Sequence, residues 1–162
     1  MSIPHSAIAE ALALLPAKMS SQAARVMLYA VGLQESGFRT RLQYGNGPAR
    51  GFWQFEQGGG IVGVLTHPAT ASLAGTVCRS RAVIPAVPDV HAVLAIDDTL
   101  AAAFARLLLW TDRAPLPAVG DAAAGWVCYL RSWRPGRPQE GRWAANYAEA
   151  LRLSTNPPPL EV

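Results

Sequence analysis

The sequence predicts a mainly α-helical (α+β) domain with one small lobe that contains a hairpin. Along most of the chain apolar residues recur at helical spacing, and capping residues or glycine and proline stop signals bound these segments. Between residues 39 and 60 the helical period disappears, and glycines surround a short aromatic run. With 162 residues, 51% of them hydrophobic, the chain is large enough for one self-sufficient core. We therefore expect a single domain over residues 1–155 and a loose, proline-rich tail over residues 156–162.

The first two helices have clear boundaries. The first starts at position 2 or 5 and ends at Leu15, because a proline follows. A serine at position 20 or 21 caps the second helix. This helix runs to about Ser36, where Gly37 is a stop signal.

The middle of the chain is predicted to hold the small lobe and two short helices. Within the lobe, residues 52–55 (Phe-Trp-Gln-Phe) suit a strand or hairpin. Residues 61–65 and 70–79 are short helices separated by a proline. Residues 82–90 are a connection that prolines interrupt.

Three further helices complete the domain. Asp97 or Asp98 caps a strongly apolar helix that runs through Trp110. Because this helix has no polar face, it should occupy a central, buried position. Asp121 caps the next helix, and the last helix covers residues 139–153 after a Trp-Arg-Pro-Gly turn.

The charge of the chain narrows the classes of partner only slightly. The net charge is +3, and the basic residues are nearly all arginine, which suits carboxylate and phosphate partners. No apolar run is long enough to span a bilayer, so no stable membrane insertion is expected. No helix-turn-helix or aromatic-basic repeat is recognisable, which argues against a nucleic acid partner.

The histidines and cysteines do not indicate a metal or cofactor. The histidines are isolated and lack metal-ligand spacing, which argues against zinc amidase or peptidase chemistry. We therefore expect no metal and no cofactor. Cys78 and Cys128 lie in apolar helical segments, where buried free thiols are expected in preference to a disulfide.

Glu35 departs from the pattern of the second helix. At about 100° per residue it falls on the same apolar stripe as Ala24, Leu28 and Val31. It also lies in the last helical turn, where the helix dipole disfavours a negative charge. Burial and the dipole both predict a raised pKa, which is the property of a useful general acid. The alternative is a frayed helix end that lets Glu35 reach solvent or pair with Arg39.

Two segments around Glu35 carry a family resemblance. They are residues 32–38 (Gly-Leu-Gln-Glu-Ser-Gly-Phe) and residues 51–55 (Gly-Phe-Trp-Gln-Phe). Together they resemble the lytic transglycosylases and goose-type lysozymes, in which a Glu-Ser pair ends a helix and a Gly-x-x-Gln element follows at the edge of the cleft. The likeness spans roughly residues 21–153. It implies a lysozyme-like fold and cleavage of the β-1,4 bonds of peptidoglycan glycan strands.

The resemblance also implies roles for individual residues. Glu35 is implied to be the acid, and Ser36 to hold the local turn or a substrate group. Gln54 and the neighbouring backbone are implied to contact the sugar chain. Tyr129 is similar in placement to the family tyrosine that bonds the catalytic glutamate, although the usual Tyr-Asn-x-Gly pattern is absent. Tyr147 resembles the late tyrosine before the family's closing helix, and both tyrosines are candidate substrate-binding residues.

Further residues are candidates for contact with the substrate. Aromatic side chains in and near the lobe suit stacking on sugar rings, and Trp53 is the one we single out, although each aromatic also has an ordinary core explanation. Arg39, Arg41 and Arg50 flank the predicted cleft, where they are candidates to hold the carboxylates of peptide stems. The alternative for these arginines is a solvated basic loop.

The mechanism depends on the number of catalytic carboxyl groups. Glycoside cleavage normally uses two, and Glu56 is the nearest second candidate. A lytic transglycosylase needs only Glu35, since the 6-hydroxyl of the sugar attacks and Glu35 acts first as acid and then as base. The resemblance favours this route. If both acids act, a muramidase, inverting or retaining, is expected instead. A non-catalytic phage structural or wall-binding protein is the alternative from another class.

The length and the Trp-Arg-Pro-Gly turn look most like a bacteriophage protein, either an endolysin or a wall-opening virion component. Other phage virion proteins are then candidate partners. The N-terminus lacks the charged and cleavage regions of a secretory signal. We expect synthesis in the host cytoplasm and delivery to the periplasm or cell wall by a holin or within a virion.

Overall fold

The computed structural model describes residues 3–155, which form eight α-helices and thereby confirm the mainly helical prediction. The helices are α1 (His5–Leu14), α2 (Gln22–Glu35), α3 (Val62–Thr66), α4 (Ala71–Ser80), α5 (Val87–Leu94), α6 (Asp98–Thr111), α7 (Ala122–Trp133) and α8 (Glu140–Thr155). Short helical turns lie at Ala17–Met19, Tyr44–Asn46 and Gln57–Ile61. The predicted tail, residues 156–162, lies outside the described residues.

Helix α6 is the centre of the fold. Every residue from Thr99 to Leu109 is buried, and the side chain of Asp97 caps the helix by accepting from the Leu100 N–H at 2.9 Å. Helices α1, α2, α3, α4, α5 and α7 all pack against α6, whereas α8 lies along α2. The expected central position of this apolar helix is therefore confirmed.

Helix α2 ends as the sequence predicts. Ser21 caps its start by accepting from the Ala24 N–H at 3.1 Å. At its end Gly37 takes the left-handed conformation (φ +60°), which glycine adopts without a steric penalty. The chain then turns back so closely that a Cβ on Gly32 would stand 2.2 Å from the ring of Phe38. The end of α2 is thus held in one geometry.

The predicted strand over residues 52–55 is wrong. The described residues contain only isolated antiparallel bridges, Leu42 with Arg50 and Arg50 with Phe55. The hairpin is reduced to the Arg50–Phe55 pair, whose two backbone hydrogen bonds of 2.9 and 2.8 Å close a tight turn. The physical reason is that Phe52, Trp53 and Phe55 are all buried, whereas a half-exposed strand would alternate between core and solvent.

The predicted connection over residues 82–90 is also partly wrong, because α5 begins at Val87. Pro88 occupies the first turn of this helix, where the backbone N–H has no helical partner to lose. No single helix within residues 3–155 is long and apolar enough to cross a membrane, although the bent pair Gln57–Thr66 and Ala71–Ser80 meets that test by length and composition. Cys78 and Cys128 are buried free thiols.

Candidate active site

A groove of about 1440 Å³ lies between the small lobe, α3 and the end of α7. Glu35, the last residue of α2, and Glu56 both line this groove. Ser36 and Gln54 line it as well. The two segments that carried the family resemblance are therefore brought together at one surface.

Glu35 is half-buried and has an altered acidity. Loss of solvent around the carboxyl group raises its pKa from an ordinary value of 4.5 to about 7. A hydrogen bond from Tyr129 opposes this rise because it favours the ionised form, and the negative charge of Glu56 adds to it. At neutral pH about half of the Glu35 side chains therefore carry a proton.

The side chain of Tyr129 forms a hydrogen bond with that of Glu35. Its phenol donates to Oε1 of Glu35 at 2.6 Å, as the resemblance implies. The tyrosine is only 3% exposed, and its ring stacks with those of Trp133 and Trp143, whose centroids are 6.4 and 5.4 Å away. Burial raises the pKa of Tyr129, and the neighbouring Glu35 charge raises it further, so the phenol stays protonated. Tyr129 is absent from the groove lining, so its predicted substrate contact is wrong and its place is that of a positioning residue.

Ser36 ties the end of α2 to the small lobe. Its hydroxyl donates to the carbonyl oxygen of Phe52 at 2.7 Å and accepts from the N–H of Phe38 at 3.1 Å. The predicted role of holding the local turn therefore has a structural basis. Because Glu35 precedes this residue, the link also sets the position of the carboxyl group relative to the lobe.

Gln54 and Glu56 occupy the edge of the lobe. Gln54 adopts a left-handed backbone (φ +51°), and its side-chain amide donates to the Gly51 carbonyl at 2.9 Å while the residue lines the groove. Glu56 is exposed and lines the same groove. Both predicted residues are thus accessible to a ligand in the groove.

Two other predicted contact residues lie elsewhere. Trp53 is 0% exposed and donates its indole N–H to the Leu28 carbonyl at 2.9 Å, so the prediction that it stacks on sugar is wrong. It anchors the lobe to α2 instead. Tyr147 is 2% exposed and packs against Gly125, where an added Cβ would stand 2.7 Å from its ring. It does not line the groove, and the predicted substrate contact is wrong because the side chain joins α8 to α7.

Only one of the three predicted arginines reaches the groove. Arg39 lines it. Arg41 forms a two-point ion pair with Asp98, both contacts at 2.7 Å, and its guanidinium covers the ring of Phe52. Arg50 donates to backbone carbonyls within the lobe. Arg41 and Arg50 are therefore structural residues, which corrects that prediction.

Gln34, which is buried beside Glu35, was not predicted from the sequence. Its side-chain amide donates to the Gln139 carbonyl at 3.0 Å, and its oxygen accepts from Asn146 at 2.8 Å. These contacts fasten α8 and the connection before it to the end of α2. The partners lie more than 100 positions away, and the only local signal was a polar residue in an otherwise buried helical stretch.

Three arginines on the helical side of the groove were not predicted either, namely Arg134, Arg137 and Arg142. They lie too far along the chain from Glu35 for spacing to associate them with it. Among residues 3–155, no group of three or more His, Cys, Asp or Glu side chains is placed to hold a metal ion. Comparison with family models, with curated proteins and with solved structures finds no match.

Proposed function

We propose that this protein cleaves the β-1,4 glycosidic bonds of bacterial peptidoglycan as a lytic transglycosylase-like enzyme, with Glu35 as the general acid and then the base. The observation that carries the proposal is the Glu35 carboxyl group, which lines a large groove, has a pKa of about 7 and accepts a hydrogen bond from buried Tyr129. A group with this pKa both gives and takes a proton near neutral pH.

The size of the groove favours a polymer as substrate. Sites for small ligands commonly enclose about 300–1,000 Å³, and this groove encloses about 1440 Å³. The Glu-Ser pair and the Gly-x-x-Gln element line or border the groove together, which is the arrangement that the family resemblance implies. A glycan strand fits both features.

The proposed reaction has two proton transfers. In the first, Glu35 protonates the bridging oxygen as the bond from this oxygen to the anomeric carbon breaks. In the second, the 6-hydroxyl of the same muramic sugar attacks the anomeric carbon and gives its proton to the Glu35 carboxylate. A 1,6-anhydro ring forms, Glu35 regains its proton, and no water is consumed. Tyr129 keeps the carboxyl group in place and stabilises its ionised form between the two steps.

A muramidase mechanism is the second candidate, and Glu56 is the observation that favours it. Glu56 lines the same groove, and its charge contributes to the raised pKa of Glu35. Two carboxyl groups in one cleft are the usual apparatus of glycoside hydrolysis. In that mechanism Glu56 activates water or attacks the sugar, and the product has a reducing end.

Digestion of purified peptidoglycan tests the proposal. Mass spectrometry of the products from wild type and Glu35→Gln should show 1,6-anhydro-muramic ends with the wild type alone. Reducing muramic ends would establish the muramidase alternative. Strands left intact by folded wild-type protein would overturn both and favour a non-catalytic wall-binding or virion protein. The biological setting that we propose is a bacteriophage endolysin or virion component, which the resemblance supports.

A further inference from the structure

Three arginines form the helical side of the groove, and we refer to Arg134, Arg137 and Arg142 as the arginine wall. Arg134 directly follows α7, Arg137 lies in the connection to α8, and Arg142 lies in the first turn of α8. Arg39 faces the same groove from the small lobe. Within residues 3–155 none of these four forms an ion pair with a carboxylate.

The groove has more positive than negative groups. Among the described residues, its carboxylates are Glu35 and Glu56, and Glu35 is about half neutral at pH 7. A fifth lining arginine, Arg131, is already paired with Asp112 at 2.8 Å. The unpaired guanidinium groups repel one another unless an anionic ligand lies between them. Planar guanidinium groups bind carboxylates through two parallel hydrogen bonds, so a carboxylate ligand suits this wall.

The arginine wall is held in place relative to Glu35. The indole of Trp133, one residue before the wall, donates to the Trp53 carbonyl at 3.0 Å. Gln34, one residue before Glu35, accepts from Asn146 of α8 and donates to the backbone of the connection. Two prolines further restrict the connection. These contacts fix the backbone that carries the three arginines, so their side chains extend from a defined position beside the groove.

We propose that the arginine wall binds the carboxylates of the peptide stems, so that the protein cleaves strands bearing stems in preference to bare glycan. This inference rests on the proposed function. In peptidoglycan the stems hang from the muramic sugars, whose bonds are the ones cleaved. A strand with its bond at Glu35 therefore brings its stem carboxylates into the same groove. Phosphate groups of other wall polymers would suit the same guanidinium groups, and the choice of substrate separates the two sources.

The test compares two substrates made from peptidoglycan that is free of phosphate polymers. One retains its stems, and an amidase has removed the stems from the other. We expect kcat/KM of the wild type to be higher on stem-bearing strands. The double variant Arg137→Gln, Arg142→Gln should lower the ratio of the two kcat/KM values about tenfold, which corresponds to about 1.4 kcal/mol and is the size expected for two charged contacts at exposed positions. Arg137 and Arg142 are exposed and make no side-chain hydrogen bond within the described residues, whereas Arg134 donates to the Arg131 carbonyl and is left unchanged, so folding should be retained.

The matched control is Arg79→Gln, Arg113→Gln, which removes the same charge from exposed positions outside the groove. It should keep the wild-type preference. A wild type without any preference, or a wall variant that keeps it, would overturn the inference while leaving the proposed function intact. Loss of preference in both double variants would also overturn it, because general charge and not the wall would then be responsible. A wild type that cleaves neither substrate would overturn the proposed function and this inference with it.

Discussion

The phenol of Tyr129 donates a hydrogen bond of 2.6 Å to the Glu35 carboxyl group, across 94 positions of sequence. Burial and this hydrogen bond have opposing effects on the pKa of Glu35. Burial raises the pKa of Glu35 to about 7, and the phenol restrains that rise by favouring the carboxylate. The pair therefore holds the acid in place and keeps its proton exchangeable at neutral pH.

Tyr129→Phe should move the alkaline limb of the pH–activity profile to higher pH. The substitution removes the donor that lowers the pKa of Glu35, so the carboxyl group stays protonated to a higher pH. The maximal rate should fall about tenfold, as expected for a lost hydrogen bond to a charged group. Rates of peptidoglycan cleavage between pH 4 and pH 10 measure both effects. Tyr147→Phe is the control, since this buried tyrosine makes only a 3.5 Å contact with the Ala118 carbonyl, and an equal shift in it would contradict the assignment.

The difference in unfolding free energy between Glu35→Gln and the wild type should change with pH, in favour of the variant as the pH rises. The pKa of Glu35 is raised in the folded state, so its favourable contribution is complete below pH 4.5 and is lost as the pH rises through about 7. A neutral glutamine does not suffer that loss. The difference in unfolding free energy between variant and wild type should grow by about 3 kcal/mol from pH 4 to pH 9. Urea unfolding at several pH values measures it, and a difference independent of pH would contradict the raised pKa.

Most helix boundaries could be predicted from the sequence because their causes are local. The cap at Ser21, the stop at Gly37 and the cap at Asp97 each depend on contacts within a few residues. The position of Glu35 on the apolar stripe of α2 was equally local, and burial of that stripe is what raises its pKa. The burial of Glu35 and the helical frame could therefore be predicted from the sequence.

The structure of the lobe and of the far side of the groove could not be predicted from the sequence, because contacts between residues far apart in the chain determine it. An aromatic run has the same composition whether it stacks on a ligand or packs on a helix, and here Trp53 packs on α2 through the Leu28 carbonyl. With Trp53 packed on α2, the aromatic segment forms a tight turn and not the expected strand. Gln34 and the arginine wall depend on contacts between α2 and the chain beyond α7, and no sequence spacing encodes such a distance.

Trp53→Ala should unfold or strongly destabilise the protein, by about 3–5 kcal/mol, because it removes a fully buried aromatic side chain. Gln54→Ala, at the adjacent position, should lose much less stability because its side chain faces the groove and bonds only the Gly51 carbonyl. The two variants compare the stability lost at a core position with the stability lost at a groove position in the same turn. Thermal unfolding measures the difference. Equal small losses in both variants would show that the lobe does not depend on Trp53 for its attachment to α2.

Glu56→Gln should retain cleavage, because a transglycosylase takes its nucleophile from the sugar and needs only Glu35. Glu56 is exposed at the edge of the groove, just beyond the Gly-x-x-Gln element, where the family resemblance implies no acidic role. The substitution removes a negative charge that raises the pKa of Glu35, so the alkaline limb should move to lower pH while the maximal rate is kept. Glu140→Gln, exposed on α8 outside the groove, is the control for the lost charge. A fall of about two orders of magnitude or more in folded protein, the usual effect of removing a general base, would instead make Glu56 the second catalytic group. The wild-type products should then carry reducing ends formed with water, and the muramidase mechanism would replace the transglycosylase one.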